Sequence, residues 1–345
     1  MGLLCILGMT GNVTSFFVLC RHRAETATIM LLRVLAVSDS ILLLTSIFVY
    51  CLPAVYPYTG VLRIFYEEFD VVRTYVWPFA LMAHTITVWI TVLVTLHRYC
   101  SICKALSNTQ LYIAKATKLQ VFAVVALSVL YNTPRFFEHH RISDGQTILT
   151  GNMSNVTCQV PVNLGDSRIY QIIYSNVLYF PVMYILPLII LTYLNVRLIK
   201  AMNGLRKRKQ TLTGHRAKDD HITLIVIVIV IIFIICQTPA LVNQIFWAIL
   251  NQTERRCGQF HFYYTKVSDL LIILNSSVNF MIYCLFGKTF RRTFIDTFCR
   301  RKIGTLSTNT KRNNSKLNDG SLDEKEPLQI LSIPHTSQQI MSTDV

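Results

Sequence analysis

Asn275-Ser-Ser-Val-Asn279-Phe-Met-Ile-Tyr283-Cys-Leu-Phe-Gly287-Lys-Thr-Phe-Arg-Arg292 is the stretch that decides how this chain folds. It opens within an apolar run long enough to cross a bilayer, yet it carries polar side chains. Polar groups in hydrocarbon are costly, so they face a bundle interior and take part in function. Asn275, Asn279 and Tyr283 recur at helical spacing, on or near one face. Gly287 ends the run. Lys288 to Cys299 then reads as an amphipathic surface helix, with Phe290, Phe294 and Phe298 on one side and arginines on the other.

Composition points the same way. Hydrophobic residues make up 52% of the chain, charged residues 15%, and the mean hydropathy is +0.43. Soluble domains carry about 25% charged residues, so a single aqueous core does not absorb this surplus. The net charge of +15 would suit nucleic acid, but Lys and Arg sit at the ends of apolar runs and in loops. That placement orients a membrane protein and implies no nucleic-acid partner. The ten cysteines follow neither metal nor disulfide-framework spacing, and Cys100 and Cys103 read as a chance pair of buried thiols.

A membrane helix needs about 20 apolar residues. Seven spans are expected, at 1–20, 29–53, 75–100, 118–134, 173–199, 221–249 and 267–286, the fourth being the shortest. The fold class expected is an all-α membrane protein: a seven-transmembrane-helix bundle over 1–300 with a short amphipathic helix after the seventh span. A disordered cytoplasmic tail follows over 301–345. Residues 1–20 also fit a signal peptide, against which stand the lack of a basic start and the Gly11-Asn12 interruption. Few residues precede Asn12, so an N-terminus that is incomplete is a further reading.

The loops set the orientation. Arg21 and Arg23, Lys104, Lys115 and Lys118, Arg206 to Lys209, and Lys288 to Lys302 fall on one side, expected cytoplasmic. The N-terminus is then outside. The glycosylation sequons at Asn152, Asn155 and Asn251 also fall outside, whereas Asn12, Asn275 and Asn313 are expected to stay bare.

Six motifs occur in order: Gly11-Asn12-Val13, Leu35-Ala-Val-Ser-Asp39, His97-Arg98-Tyr99, Pro187, Cys236-Gln-Thr-Pro239 and Asn279-Phe-Met-Ile-Tyr283. Together they resemble the rhodopsin-like class of G-protein-coupled receptors, over about 1–300. Thr91 to Arg98, Asn132-Thr-Pro-Arg-Phe-Phe-Glu138, Cys236 to Val242 and Asn275 to Asn279 resemble, more narrowly, the invertebrate FMRFamide-type neuropeptide receptors. Gln237 stands where most relatives have Trp. The resemblance implies a short, C-terminally amidated peptide ligand, a plasma-membrane location and a heterotrimeric G protein as partner. Ala80 stands where amine receptors carry an Asp, and Ile273 where opsins carry the retinal Lys, so neither of those ligand classes is expected.

The resemblance also assigns roles. Asp39 is expected to gather Thr87, Asn275, Ser276 and Asn279, either around a sodium ion or as a purely hydrogen-bonded cluster; no other cofactor is implied. Arg98, between His97 and Tyr99, is the activation and G-protein-coupling residue. His97 replaces the usual acid and cannot be a permanent counter-ion. Asp219 lies about 20 residues before Pro239, about 30 Å down a helix, and is expected to restrain Arg98; a solvated surface Asp is its alternative. Pro239, next to Gln237, should kink the sixth helix. Asn279 and Tyr283 complete the switch. Phe280 replaces the family's Pro, so a straighter seventh helix is expected, and Asn195 replaces a frequent Tyr.

The ligand cavity is expected at His84, Thr85, Gln244, Trp247 and Asp269. Asp269 would receive the peptide's guanidinium, and His84 reads equally well as a satisfied core residue. Glu67, Glu68 and Asp70 either steer a basic peptide or are ordinary loop charges. Cys158 occupies the family's disulfide position, but its partner position is Arg73, which leaves Cys51 or Cys257. Cys299 is a palmitoylation site or a plain thiol. Tail phosphorylation would recruit arrestin, and Ser342-Thr-Asp-Val345 resembles a PDZ ligand ending at Val345. A transporter or channel, an intramembrane enzyme using Asp39 and Asp269, and a receptor-like chain unable to signal are the rivals. Neither inverted repeats nor an enzyme motif such as H-E-x-x-H or G-x-S-x-G occurs in the chain.

Overall fold

The computed structural model describes residues 1–22, 26–67, 69–103, 116–137, 170–212, 220–250 and 259–298. Among them every long element is a helix and none is a strand. Lipid-facing backbone must satisfy its own hydrogen bonds, so the β-branched run of Ile222 to Ile235 is helical despite its strand-like composition.

The main helices are α1 (Gly2–Cys20), α2 (Ala27–Ser46), α3 (Phe69–Cys103), α4 (Thr117–Asn132), α5 (Leu186–Leu212), α6 (Asp220–Ile249), α7 (Phe260–Ser277, continued by Asn279–Phe286) and α8 (Lys288–Phe298), with two short helical turns, Tyr56–Thr59 and Arg63–Glu67, between α2 and α3. Two π-helical stretches, Gln171–Tyr179 and Pro181–Ile185, lead into α5. Among the described residues five segments are long and apolar enough to cross a membrane, and the two parts of α7 make a sixth. α4, with 16 residues, is the short one, as its apolar run implied. With it, seven helices follow one another as in a seven-span bundle. α3 begins six residues before the expected 75 and α7 seven before the expected 267, because their amphipathic first turns extend past the apolar run. Met1–Thr297 make one compact unit; of the second, Phe298–Val345, only Phe298 is described.

Small residues let α1 approach α7. A Cβ at Gly8 would collide with the Ser277 side chain, and one at Gly11 would sit 2.9 Å from Phe280 Cβ. Across the same contact Asn12 Nδ2 donates to the Ser276 carbonyl at 2.8 Å. Arg33 of α2 donates from Nε and Nη2 to the Leu19 carbonyl, at 3.1 and 2.8 Å, and so closes the end of α1. A π-helical turn, Ile47–Cys51, ends α2 and re-aims Tyr50 and Cys51. Cys51 then lies beside Cys5, both as free thiols, while Cys158 and Cys257 lie outside the described residues.

The expectation of a straight seventh helix is corrected. α7 bends by 42° between Ser277 and Asn279, without any proline. The Ser276 carbonyl, which an unbroken helix would offer to the Phe280 N–H, accepts instead from Asn12. A side chain entering the backbone ladder is a known cause of such kinks. Phe280 fills the bend, packing against Phe290 and Phe294 at 6.1 and 6.0 Å. α8 then folds back at Gly287, where a Cβ would lie 3.0 Å from that of Phe290. Arg291 Nη1 caps α7 through the Cys284 and Leu285 carbonyls, at 2.8 and 2.7 Å.

Candidate functional site

Three polar levels run along the bundle, and the one between the other two is built on Asp39. α2 buries this carboxylate completely. Thr87 Oγ1 of α3 donates to Oδ1 at 3.0 Å and Asn279 Nδ2 of α7 donates to Oδ2 at 2.7 Å. Ser38 and Thr87 hydroxyls lie 2.9 Å apart, and Ser276 faces the same carboxylate. Asn275 is buried one residue before Ser276, and Asn279 donates from beyond the bend of α7. The bend therefore has a use: it carries Asn279 round to Asp39. Asn12 Oδ1 and Tyr283 Oη are buried without a hydrogen-bond partner among the described residues. Hard oxygen donors around a carboxylate fit a sodium ion in chemical type.

The second level joins α3 to α6. Gln237 Nε2 donates to His84 Nε2 at 2.8 Å, both residues being buried. Pro239 lies two residues further along the same helix, inside α6. The sequence placed His84 with the ligand and Gln237 with the switch; the fold makes them partners. A small cavity of about 40 Å³ opens beside His84, lined also by Asp269, Tyr50, Trp77, Ser46 and Ile273. That volume holds a water molecule or two but no peptide side chain.

Asp269 sits in this wall among charges the sequence did not bring together. Tyr50 hydrogen-bonds to it, and Lys266 and Arg73 lie within electrostatic reach. Lys266 Nζ is 5.2 Å from the Tyr50 ring centroid. Lys266 was legible as a helical neighbour three residues before Asp269; Tyr50 was not, because only the π turn of α2 aims it there.

The other proposed ligand residues scatter. Thr85 is buried between helices: it donates to the Leu81 carbonyl at 2.8 Å and accepts from Asn132 Nδ2 at 2.9 Å. Trp247, 48% exposed, meets His261 edge-on at 5.8 Å near the end of α6. Gln244 is partly buried three residues before it.

The third level is the far end of α3. Arg98 and His97 are both buried. His97 Nε2 donates to Gln120 Oε1 of α4 at 2.8 Å, so the residue that replaces the family acid is held by a neutral amide. Tyr99, between them and Cys100, lies on α3 as well. Asn195 of α5 donates to the Ile227 carbonyl of α6 at 3.4 Å. Tyr283 packs against Phe290 at 5.3 Å. Asp219, Asn152, Asn155, Asn251, Cys299 and Val345 lie outside the described residues, as does the side chain of Asp70.

The chain matches the family described as 7 transmembrane receptor (rhodopsin family) over residues 11–283. It is 30% identical over 299 residues to an FMRFamide receptor of Drosophila melanogaster, covering 86% of this chain and 53% of the relative. It is 26% identical over 294 residues to the FMRFamide peptide receptor frpr-18 of Caenorhabditis elegans, covering 84% and 66%. A more distant match, 26% over 305 residues, is to neuromedin-U receptor 2 of Mus musculus, covering 85% and 72%. The chain thus spans between half and two thirds of the length of the first two relatives.

Proposed function

The chain belongs to the rhodopsin family of seven-transmembrane receptors, a family of receptors and not of enzymes, and from that premise we propose that it binds an extracellular peptide ending in amidated Arg-Phe and activates heterotrimeric G proteins. The relatives named FMRFamide receptors support the ligand class. The observation that carries the mechanism is the 2.8 Å bond between His84, in the wall of the outer cavity, and Gln237, beside Pro239. A ligand that moves His84 acts at once on the kinked helix.

Peptide binding favours a state with a wider cavity, and that state is the one open to the G protein at Arg98. The ligand shifts the population only by its differential affinity for the two states. Asp39 ties α2, α3 and α7 and carries the change between levels. A sodium ion there would be held by Asp39 with Ser276, Thr87 and Asn279, and would stabilise the closed arrangement by neutralising the carboxylate. Asp219 restrains Arg98 in that arrangement. The N-terminus lies outside the cell, with sugar at Asn152, Asn155 and Asn251. Arrestin at the phosphorylated tail, palmitate at Cys299 and a PDZ protein at Val345 complete the proposed partners.

The test is a screen of the full chain on intact cells, reading calcium and cyclic nucleotide, with amidated Arg-Phe peptides and their free-acid counterparts. A saturable response to the amides, weaker for the acids, is expected. Transport current or solute flux without any G-protein response would favour a transporter instead.

A further inference from the structure

Where α1 begins and α2 ends, two cysteines from different helices face each other. Cys5 lies in the first turns of α1 and is completely buried. Cys51 closes the π-helical turn Ile47–Cys51 and is half-buried. The two thiols are within hydrogen-bonding reach of each other. The approach extends along the first turn of α1: a Cβ at Gly2, on the same face as Cys5, would lie 3.6 Å from Cys51 Sγ. Ile47 and Tyr50 of the π turn pack against the buried cluster of Cys5, Leu43 and Ile273, so the surroundings hold both elements together.

Among the described residues the pair belongs to no group that could hold a metal ion. Two thiols in contact share one covalent chemistry, closure to a disulfide by thiol–disulfide exchange. With the N-terminus outside the cell, this end of the bundle matures in the oxidising secretory lumen, where disulfides form and persist. Burial sets the order of the steps. The more accessible Cys51 thiolate attacks a disulfide of a lumenal oxidoreductase, forms a mixed disulfide and displaces one of its thiolates. Cys5 then attacks the Cys51 sulfur and displaces the other. The pair gives up two protons and two electrons, and the oxidoreductase takes up both as its dithiol.

We propose that Cys5 and Cys51 close a disulfide that ties the first turn of α1 to the end of α2. This rests on the orientation proposed above and is independent of the ligand class. The bond has a use at the ligand site. Tyr50 precedes Cys51 in the π turn and hydrogen-bonds to Asp269. A link at Cys51 fixes the turn and, with it, the aim of Tyr50. It also removes Cys51 from the two partners open to Cys158, which leaves Cys257.

The experiment maps the disulfides of the full chain purified from the cell surface. Free thiols are blocked with iodoacetamide during denaturation, and the unreduced digest is read by mass spectrometry. A linked pair of peptides carrying Cys5 and Cys51, lighter by two hydrogens than their sum, is expected. It should persist in Cys20→Ser, the control at the other end of α1, and vanish in Cys5→Ser. Separate alkylation of Cys5 and Cys51 overturns the inference, as does a link from Cys51 to Cys158. An epitope tag ahead of Met1 reads the orientation. Free thiols with the tag stained on intact cells overturn this inference alone; free thiols with staining only after permeabilisation overturn the orientation as well. In function, Cys5→Ser, Cys51→Ser and the double variant should lower the potency of an amidated Arg-Phe peptide by one and the same factor, because each removes the same bond. Losses that multiply in the double variant overturn the link. Where a variant fails to reach the surface, or the peptide evokes no response, the map of the parent chain decides.

Discussion

Asp269→Asn lowers the potency of an amidated Arg-Phe peptide by about 10- to 100-fold, the equivalent of the roughly 1.5–3 kcal/mol contributed by a hydrogen bond to a charged group. The substitution keeps the shape of the side chain and an oxygen for Tyr50, so the bundle is left intact. What it removes is the carboxylate charge that a guanidinium would meet in bidentate fashion. The surroundings set the size of the effect. Lys266 and Arg73 already offset part of that charge, so the peptide must compete with two cations of the receptor. Its gain is therefore smaller than for a lone buried acid. Concentration–response curves at matched surface level give the shift. Potency equal to the parent would exclude Asp269 as the ligand's counter-charge.

Asp39→Asn separates binding from signalling. The carboxylate accepts from Thr87 on one oxygen and from Asn279 on the other, so three helices meet on two charge-assisted bonds. An amide in its place presents an N–H₂ to one of these donors, so that bond must reverse or break and neither remains charge-assisted. The site also loses the charge that a cation would require. The outer cavity, lined by other residues, is left as it was. The G-protein response should fall by at least about tenfold, the effect of losing roughly 1.4 kcal/mol of coupling. Peptide affinity should stay close to the parent's. Measuring both on the same cells checks this, and equal signalling at equal surface level contradicts it.

Much of the bundle was legible because hydropathy reports on the solvent directly. The seven apolar runs, the break at Gly287 and the phenylalanine face of α8 all follow from what lipid excludes. Asp39 was legible as a buried carboxylate that requires donors, and the family resemblance supplied Thr87 and Asn279 as those donors. Geometry set by backbone irregularity was not. The bend of α7 comes from Asn12 on a helix more than 260 residues away, and nothing near Phe280 signals it. Tyr50 reaches Asp269 only because α2 ends in a π turn. Thr85 and His84 are adjacent in sequence, yet a helix turns them 100° apart, one toward Asn132 and the other toward Gln237. Arg135 lies over the rings of Tyr174 and Tyr179, more than 35 residues away, whose spacing carries no periodic signal.

The most direct test of the account is a distance across the far end of the bundle. Spin labels at Ile102 of α3 and Leu224 of α6 would flank Arg98 in the full chain, held in lipid bilayers. A bound amidated Arg-Phe peptide is expected to widen this distance by several ångströms, and Asp39→Asn to leave the peptide bound but abolish the widening. A distance that stays the same while the peptide is bound to the parent chain would contradict it.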